Sequence, residues 1–370
     1  MRQSPPQRVV VLAEGAWGGP DAKTGIGFVR YGHDSAVAIL DSSQAGGNAR
    51  ELLGPRFDIP IVASLEETDR FRPTVLLIGV ANAGGYLPDG WMPAIRGALR
   101  RGMEVWNGLH LFFGAIPELV ELEHRHGGRI VDLRRPPAEL HVASGRRHLP
   151  GRHVVLTVGT DCAIGKMTVA LELRHAAREA GLRAAFVPTG QTGMVIDGWG
   201  VTVDRVPSDF VAGVMEDLVA QAEETADWIF VEGQGSLDHP AYSGVTLSIL
   251  HGSQPHGLIL CDEPTRTERK GWEGYPIDHD LARVARLHEQ VAGLVAPART
   301  VGIALDTREL DDPGARRAIA EAEWRTGLVA DDVLRHGPAR LFAALRERLA
   351  APGTAAGAAV GGDRRERGDA

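Results

Sequence analysis

The stretch Val154-Val155-Leu156-Thr157-Val158-Gly159-Thr160-Asp161-Cys162-Ala163-Ile164-Gly165-Lys166-Met167-Thr168 decides the fold of the second half of this chain. An apolar run of strand length leads into a glycine-framed loop, a lysine, and a helical pattern from Thr168 to about Ala180. Strand, loop, lysine, hydroxyl and helix in that order make a phosphate-binding P-loop. The chain holds three lysines against thirty-seven arginines, so a lysine here implies chemistry rather than composition. An ammonium on a flexible stem follows a phosphate oxygen that a rigid guanidinium fork would overreach. Gly159, Thr160, Asp161, Gly165, Lys166, Met167 and Thr168 are therefore the expected anion-binding residues. Backbone N–H groups, the helix N-terminus and the Lys166 charge would act together. The loop departs from the simplest pattern in two ways. Five residues separate its glycines, and Met167 stands where Ser or Thr normally follows the lysine, with Thr168 one position later. Cys162 reads as a small side chain filling a tight turn.

Working outward, the same alternation of apolar runs and helical segments fills the chain. Val154–Val158, Ala184–Pro188, Trp228–Glu232, Gly257–Cys261 and Val301–Leu305 read as buried parallel strands, and Thr168–Ala180, Ser208–Thr225 and Leu281–Val291 as helices between them. Before them, Val9–Ala13, Ala36–Asp41, Thr74–Gly79, Met103–Asn107 and Arg129–Leu133 repeat the rhythm, with Pro93–Arg101 as a helix. This predicts an α/β chain with a Rossmann-like N-terminal domain and a P-loop NTPase-like, doubly wound, parallel-sheet C-terminal domain. The expected boundaries are an arm over 1–7, a first domain over 8–137, a linker over 138–152, a second domain over 153–348, and a disordered tail over 349–370.

Further clusters fall at predicted strand ends, where parallel sheets place ligands. Glu232, in Glu232-Gly233-Gln234-Gly235-Ser236-Leu237-Asp238-His239-Pro240, would serve as a base or bind Mg²⁺; a carboxylate buried there has a raised pKa. His239 is a second base candidate, or a packing residue in its turn. In Pro188-Thr189-Gly190-Gln191-Thr192-Gly193, small residues admit a ligand while Thr189, Gln191 and Thr192 offer donors. Asp209 is either catalytic or a helix cap. Arg205 would pair with a ligand anion or with Asp204. In the first domain Gly15 to Gly27 makes a poor dinucleotide fingerprint: its glycine spacing is wrong and Asp41 is a weak ribose partner. A substrate or interdomain loop carrying Lys23 fits better. Asn82, Gly84 and Gly85 line the expected cleft or make turns.

Composition narrows the classes. A net charge of −8 and a pI near 6.0 leave no basic stripe for nucleic acid. No run of eighteen apolar residues or signal-peptide core is present, which predicts a soluble cytoplasmic protein with no membrane partner. Two cysteines make no disulfide framework, and no histidine spacing beside cysteine indicates zinc.

Gly159–Thr168, Thr189–Gly193, Asp204–Phe210, Glu232–Pro240 and His251-Gly252-Ser253, in this order, resemble the DUF1611 family, also described as D-glutamate N-acetyltransferase-like. The match covers most of Arg8 to about Leu345. The loop is also similar to that of dethiobiotin synthetase, Gly-Thr-Asp-Thr-x-x-Gly-Lys-Thr. The family resemblance implies a Rossmann-like and a P-loop domain and acetyl transfer from acetyl-CoA to the nitrogen of an amino acid. The phosphates of CoA would occupy the anion loop. A departure lies at Asp262, where the family pattern leads one to expect His.

Two enzyme readings follow, with a non-catalytic nucleotide sensor as a third. In an N-acetyltransferase acting on a small acidic amino acid, Glu232, Asp209 or His239 would be the base. Backbone N–H groups of Gly233 to Ser236 or Gly190 to Gly193 would meet the oxyanion. Arg205 or Arg266 would hold a substrate carboxylate, with Lys23, Thr189, Gln191, Thr192, Gln234 and Ser236 around it. In an ATP- and Mg²⁺-dependent ligase or kinase, Asp161, Thr168 and Glu232 would serve the metal and Lys166 the phosphates. A small-molecule substrate is expected in either case, and a homo-oligomer is left open.

Overall fold

The computed structural model describes residues 7–32, 35–81 and 85–349. Asn82, Gly84, most of the arm expected at the N-terminus and the tail expected beyond 349 lie outside them. The first half runs Val9–Leu12 (β1), Lys23–Tyr31 (α1), Ala36–Leu40 (β2), Arg50–Leu53 (α2), Ile61–Val62 (β3), Val75–Ile78 (β4), Met92–Arg100 (α3), Glu104–Asn107 (β5), Pro117–His126 (α4) and Arg129–Asp132 (β6). Its strands pair in parallel in the order β3-β2-β1-β4-β5-β6. That is the strand order of a Rossmann sheet. Successive β1 residues face opposite ways, Val10 and Leu12 into one core and Val9 and Val11 into the other. Both faces are covered, which is why the run is apolar throughout.

The second half runs His153–Gly159 (β7), Lys166–Glu179 (α5), Ala184–Val187 (β8), Gln191–Asp197 (α6), Ser208–Glu223 (α7), Trp228–Val231 (β9), Ser243–Ser253 (α8) and Gly257–Asp262 (β10). A hairpin of Glu268–Arg269 (β11) and Trp272–Pro276 (β12) follows, then Leu281–Ala292 (α9), Arg299–Leu305 (β13), Asp312–Thr326 (α10), Val329–Asp331 (β14) and Ala339–Leu349 (α11). The parallel order is β14-β13-β10-β7-β9-β8. The strand that carries the P-loop, β7, is therefore central, and the chain leaves it in both directions. That places a ligand crevice at its C-terminal end. No helix among the described residues is long and apolar enough to cross a membrane.

Two devices join the halves. Helix α1 packs on α6, and Gly27 permits it: a methyl group there would lie 2.9 Å from Thr192 Cγ2 and 3.3 Å from Met167 Cε. The Thr24 and Thr192 hydroxyls, both buried, meet at 2.8 Å across this contact. The connection between the halves lies along α7. Glu216 there accepts the backbone N–H groups of Ser144, Gly145 and Arg146, and Glu223 takes the Arg146 guanidinium and the His148 ring. These bonds hold the linker to the second domain.

Candidate functional site

The C-terminal ends of β7, β8, β9 and β10 converge under the N-terminus of α1. The loop from Gly159 to Gly165 wraps this point, and Gly165 caps α5, whose first residue is Lys166. Ala163 adopts a left-handed backbone (φ 53°), a strained conformation for a residue with a side chain. Among the described residues, no backbone N–H from Asp161 to Gly165 donates to a protein oxygen. A concave run of free N–H groups at a helix N-terminus is an anion nest. Lys166 is buried, and its Nζ donates to the Asp161 carbonyl at 2.5 Å. Burial lowers its pKa, while Cys261, Cys162 and Asp161 oppose that shift.

Opposite the loop lies Glu232, directly after β9 and 8% exposed. Its Oε2 accepts the Thr189 N–H at 2.9 Å. Burial pushes its pKa from 4.5 up to about 7, against the pull of the Thr189 and Gly190 N–H groups, Lys23 and Lys166. The carboxylate needs Gly193, because a methyl group there would lie 2.6 Å from Oε2. Lys23, the first residue of α1, is exposed and acts on Glu232 from the other domain. Crowding around its ammonium, then the Lys270 and Arg134 cations, lower its pKa; Cys162 and Glu232 act the other way. Lys23 and Lys166 thus both act on Glu232, and Lys270 acts on Lys23.

Asp161 and His239 form the third wall, and both are buried. Asp161 Oδ2 accepts from Arg266 Nη1 at 3.1 Å and from the Lys270 N–H at 2.9 Å. Asp161 Oδ1 and His239 Nε2 lie 3.7 Å apart, and neither has a hydrogen-bond partner. His239 Nδ1 accepts the Ala241 N–H at 3.1 Å, which puts the ring proton on Nε2. Burial lowers the pKa of His239, while Asp161 opposes that shift.

Several residues expected to touch a ligand have other work. Thr168 lies beside Tyr31 on α1, whose hydroxyl donates to Glu172 at 2.8 Å, because the helix begins at Lys166 and turns this residue toward the other domain. Met167 packs against Gly27 rather than the loop. Thr192 is tied to Thr24, and the Thr189 hydroxyl to the Glu232 carbonyl at 2.9 Å. Gln234 donates to the Thr189 carbonyl at 2.6 Å. Ser236, fully buried, is held between Asp238 and Arg269. Arg266 braces the loop through the Cys162 carbonyl, Asp161 and Glu263, so it is not a free clamp for a carboxylate. Arg205 stacks 5.1 Å over Phe112 while Asp204 pairs with Arg134. Asp209 is exposed in the first turn of α7 and neither caps it nor reaches Glu232. Gln191 opens α6 against Gly108 of the first domain. The Gly233 N–H is taken by Thr157 Oγ1 at 3.0 Å, which removes one donor expected at an oxyanion.

Thr160 donates to Asp262 at 2.6 Å, and Asp262 holds His279 at 3.1 Å. The hydrogen bond with Asp262, assisted by its charge, raises the His279 pKa against the effect of burial. Asp262 therefore anchors the base of the loop. His279 and Lys270 had no local signal: one follows the hairpin and the other sits in its turn. Asp41 accepts the Gly15 and Trp17 N–H groups at 3.0 and 3.1 Å, so it shapes its own loop and is not a ribose partner.

A Rossmann sheet and a P-loop sheet, with the site beneath the loop and the first-domain helix, define a two-domain α/β protein built around an anion nest. The chain belongs to the DUF1611 family. Residues 141–342 match its P-loop domain and residues 42–136 its Rossmann-like N-terminal domain, each described as a domain of unknown function. It is 37% identical over 328 residues to a D-glutamate N-acetyltransferase of Tritonibacter scottomollicae, covering 88% of this chain and 94% of that one. It is 36% identical over 277 residues to a protein of the same name from a Pseudoalteromonas species, covering 74% of this chain and 82% of that one. A crystal structure of a DUF1611 family protein from Anabaena variabilis superposes with a TM-score of 0.86 at 41% identity, covering 92% of this chain and 99% of that one.

Proposed function

We propose that this chain is an N-acetyltransferase that moves an acetyl group from acetyl-CoA to the amine of a small acidic amino acid of the D-glutamate type. The observation that carries the proposal is Glu232, a buried carboxylate with a pKa near 7, facing Lys23 and Lys166 beside an anion nest. An ammonium must lose a proton before it attacks a thioester, and a base poised near neutrality takes it most effectively. Lys23 and Lys270 supply positive charge for the acceptor's carboxylates. The N–H groups of Asp161 to Gly165, with Lys166, suit the CoA phosphates. The names of the two relatives support the same reading.

The donor set fits ATP with Mg²⁺ less well. Thr168 is turned to Tyr31, and Asp161 Oδ2 is committed to Arg266 and Lys270. Calorimetric titration of the purified protein with acetyl-CoA, CoA, ATP and ATP/Mg²⁺ is the test, followed by CoA release across D- and L-glutamate and aspartate. Acetyl-CoA binding with D-glutamate-dependent CoA release is the expected outcome. Binding of ATP/Mg²⁺ alone refutes the proposal in favour of a ligase or kinase. Binding without turnover of any acceptor refutes it in favour of a sensor.

A further inference from the structure

We infer that Cys162 accepts the acetyl group as a thioester before the amine does, so that the reaction passes through an acyl-enzyme on the P-loop. This step rests on the acetyl-transfer reading above. Cys162 Sγ, a carboxylate oxygen of Asp161 and a ring nitrogen of His239 lie within 4.8 Å of one another. Two polar atoms in that cluster, Asp161 Oδ1 and His239 Nε2, are fully buried and unpartnered. Buried polar groups are almost always satisfied, so an unpartnered pair facing each other at 3.7 Å marks where a reacting group is received.

A divalent metal is the competing occupant, and two features oppose it. The ring proton of His239 sits on Nε2, because Nδ1 accepts the Ala241 N–H; ligation through Nε2 would turn Nδ1–H against that donor. Cationic groups also surround the cluster: Lys23 and Lys166 near the thiol, and Arg266 on Asp161. A field of that sign suits a thiolate and a developing oxyanion. Burial, together with the Asp161 carboxylate beside it, pushes the Cys162 thiol pKa up, with Lys166 and Lys23 opposing, so the thiol needs a proton acceptor at the moment of attack. Asp161 Oδ1 provides it, with His239 Nε2–H held opposite that oxygen at 3.7 Å.

The bonds balance without another reactant. Cys162 sulfur attacks the acetyl carbonyl and passes its proton to Asp161. The charge of the oxyanion is balanced by Lys23, one of the two cations that act on the thiol. The carbon–sulfur bond to CoA breaks, and the CoA thiolate takes the proton back as CoA–SH. The acceptor amine, deprotonated by Glu232, then attacks the Cys162 thioester. N-acetylated product leaves as the second proton of the nitrogen passes to the Cys162 thiolate, and Glu232 releases the first to solvent.

The test uses the full-length protein with acetyl-CoA and no amine. One acetyl group per chain, labile to hydroxylamine and mapped to the Cys162 peptide, should appear with one equivalent of released CoA. The only other cysteine, Cys261, is fully buried, so its peptide should stay unlabelled. Initial rates with both substrates varied should give parallel double-reciprocal lines. Cys162→Ala should lose the label and at least roughly a hundred-fold in kcat. Cys162→Ser should keep acetyl-CoA affinity by calorimetry while losing the thioester, which separates chemistry from folding. Turnover near the wild-type rate in Cys162→Ala, or intersecting lines with no acetylated protein, overturns the acyl-enzyme and leaves the acetyltransferase reading intact. Absence of both acetyl-CoA binding and turnover in the wild type overturns both.

Discussion

Replacing Glu232 with Gln should stabilise the fold at alkaline pH and stop the chemistry, because one buried charge underlies both effects. Burial moves the Glu232 carboxyl from 4.5 to about 7. The gap corresponds to about 3 kcal/mol, at ~1.36 kcal/mol per pKa unit. For an acid whose folded pKa is raised, the folded state holds the proton more tightly than the unfolded state. The folded state is therefore not penalised below about 4.5. It loses stability as pH rises from there to about 7 and carries the full cost above it. Glutamine keeps an oxygen for the Thr189 N–H and carries no charge. Urea denaturation of wild type and Glu232→Gln at about pH 5 and about pH 8 should give a difference that moves in favour of the variant by up to ~3 kcal/mol at the higher pH. Wild-type kcat/KM should rise with pH to a plateau with an apparent pKa near 7. Glu232→Gln should lose roughly 10²- to 10⁴-fold in kcat with acetyl-CoA affinity little changed. A stability difference that does not vary with pH refutes the raised pKa. A variant with near wild-type kcat refutes Glu232 as the base.

Lys166→Ala removes the charge at the nest and should weaken acetyl-CoA binding about 10- to 100-fold by calorimetry, as expected for a charged hydrogen bond of ~1.5–3 kcal/mol. Gly193→Ala places a methyl group 2.6 Å from Glu232 Oε2. It should cost about 1–3 kcal/mol in denaturant unfolding, with a fall in kcat from the displaced carboxylate. Thr192→Val leaves the buried Thr24 hydroxyl without its 2.8 Å partner. It should cost roughly 1–2 kcal/mol in unfolding, with kcat/KM lowered because α1 carries Lys23 into the site.

Local sequence made much of the architecture legible. Buried parallel strands are continuous apolar runs, so β1, β4, β7, β9, β10 and β13 could be placed before any contact was known. The loop from Gly159 to Lys166 was legible because its function needs a fixed spacing of glycine and lysine. Glu232 was legible because a carboxylate ending an apolar strand has few structural reasons to be there. Helix α6 was not: Thr189-Gly190-Gln191-Thr192-Gly193 has the composition of a loop. It becomes helical because it packs on α1 and its glycine admits the Glu232 carboxylate. Arg266 and Arg205 looked like ligand clamps because type and position cannot reveal that Asp161 and Phe112 already occupy them.

The sequence by itself determined two α/β domains, an anion loop with Lys166, and a strand-end carboxylate at Glu232, since each depends on residues close together in the chain. Tertiary structure alone decided that Lys23 joins Lys166 in acting on Glu232, that Thr168 lies beside Tyr31, and that His239 meets Asp161 and Cys162. Lys23 precedes Lys166 by most of a domain, and His239 follows Cys162 by several elements. Only the stacking of α1 on α6 and the crossing of β7 between β9 and β10 bring those groups together, and no periodicity along the chain records where two sheets meet.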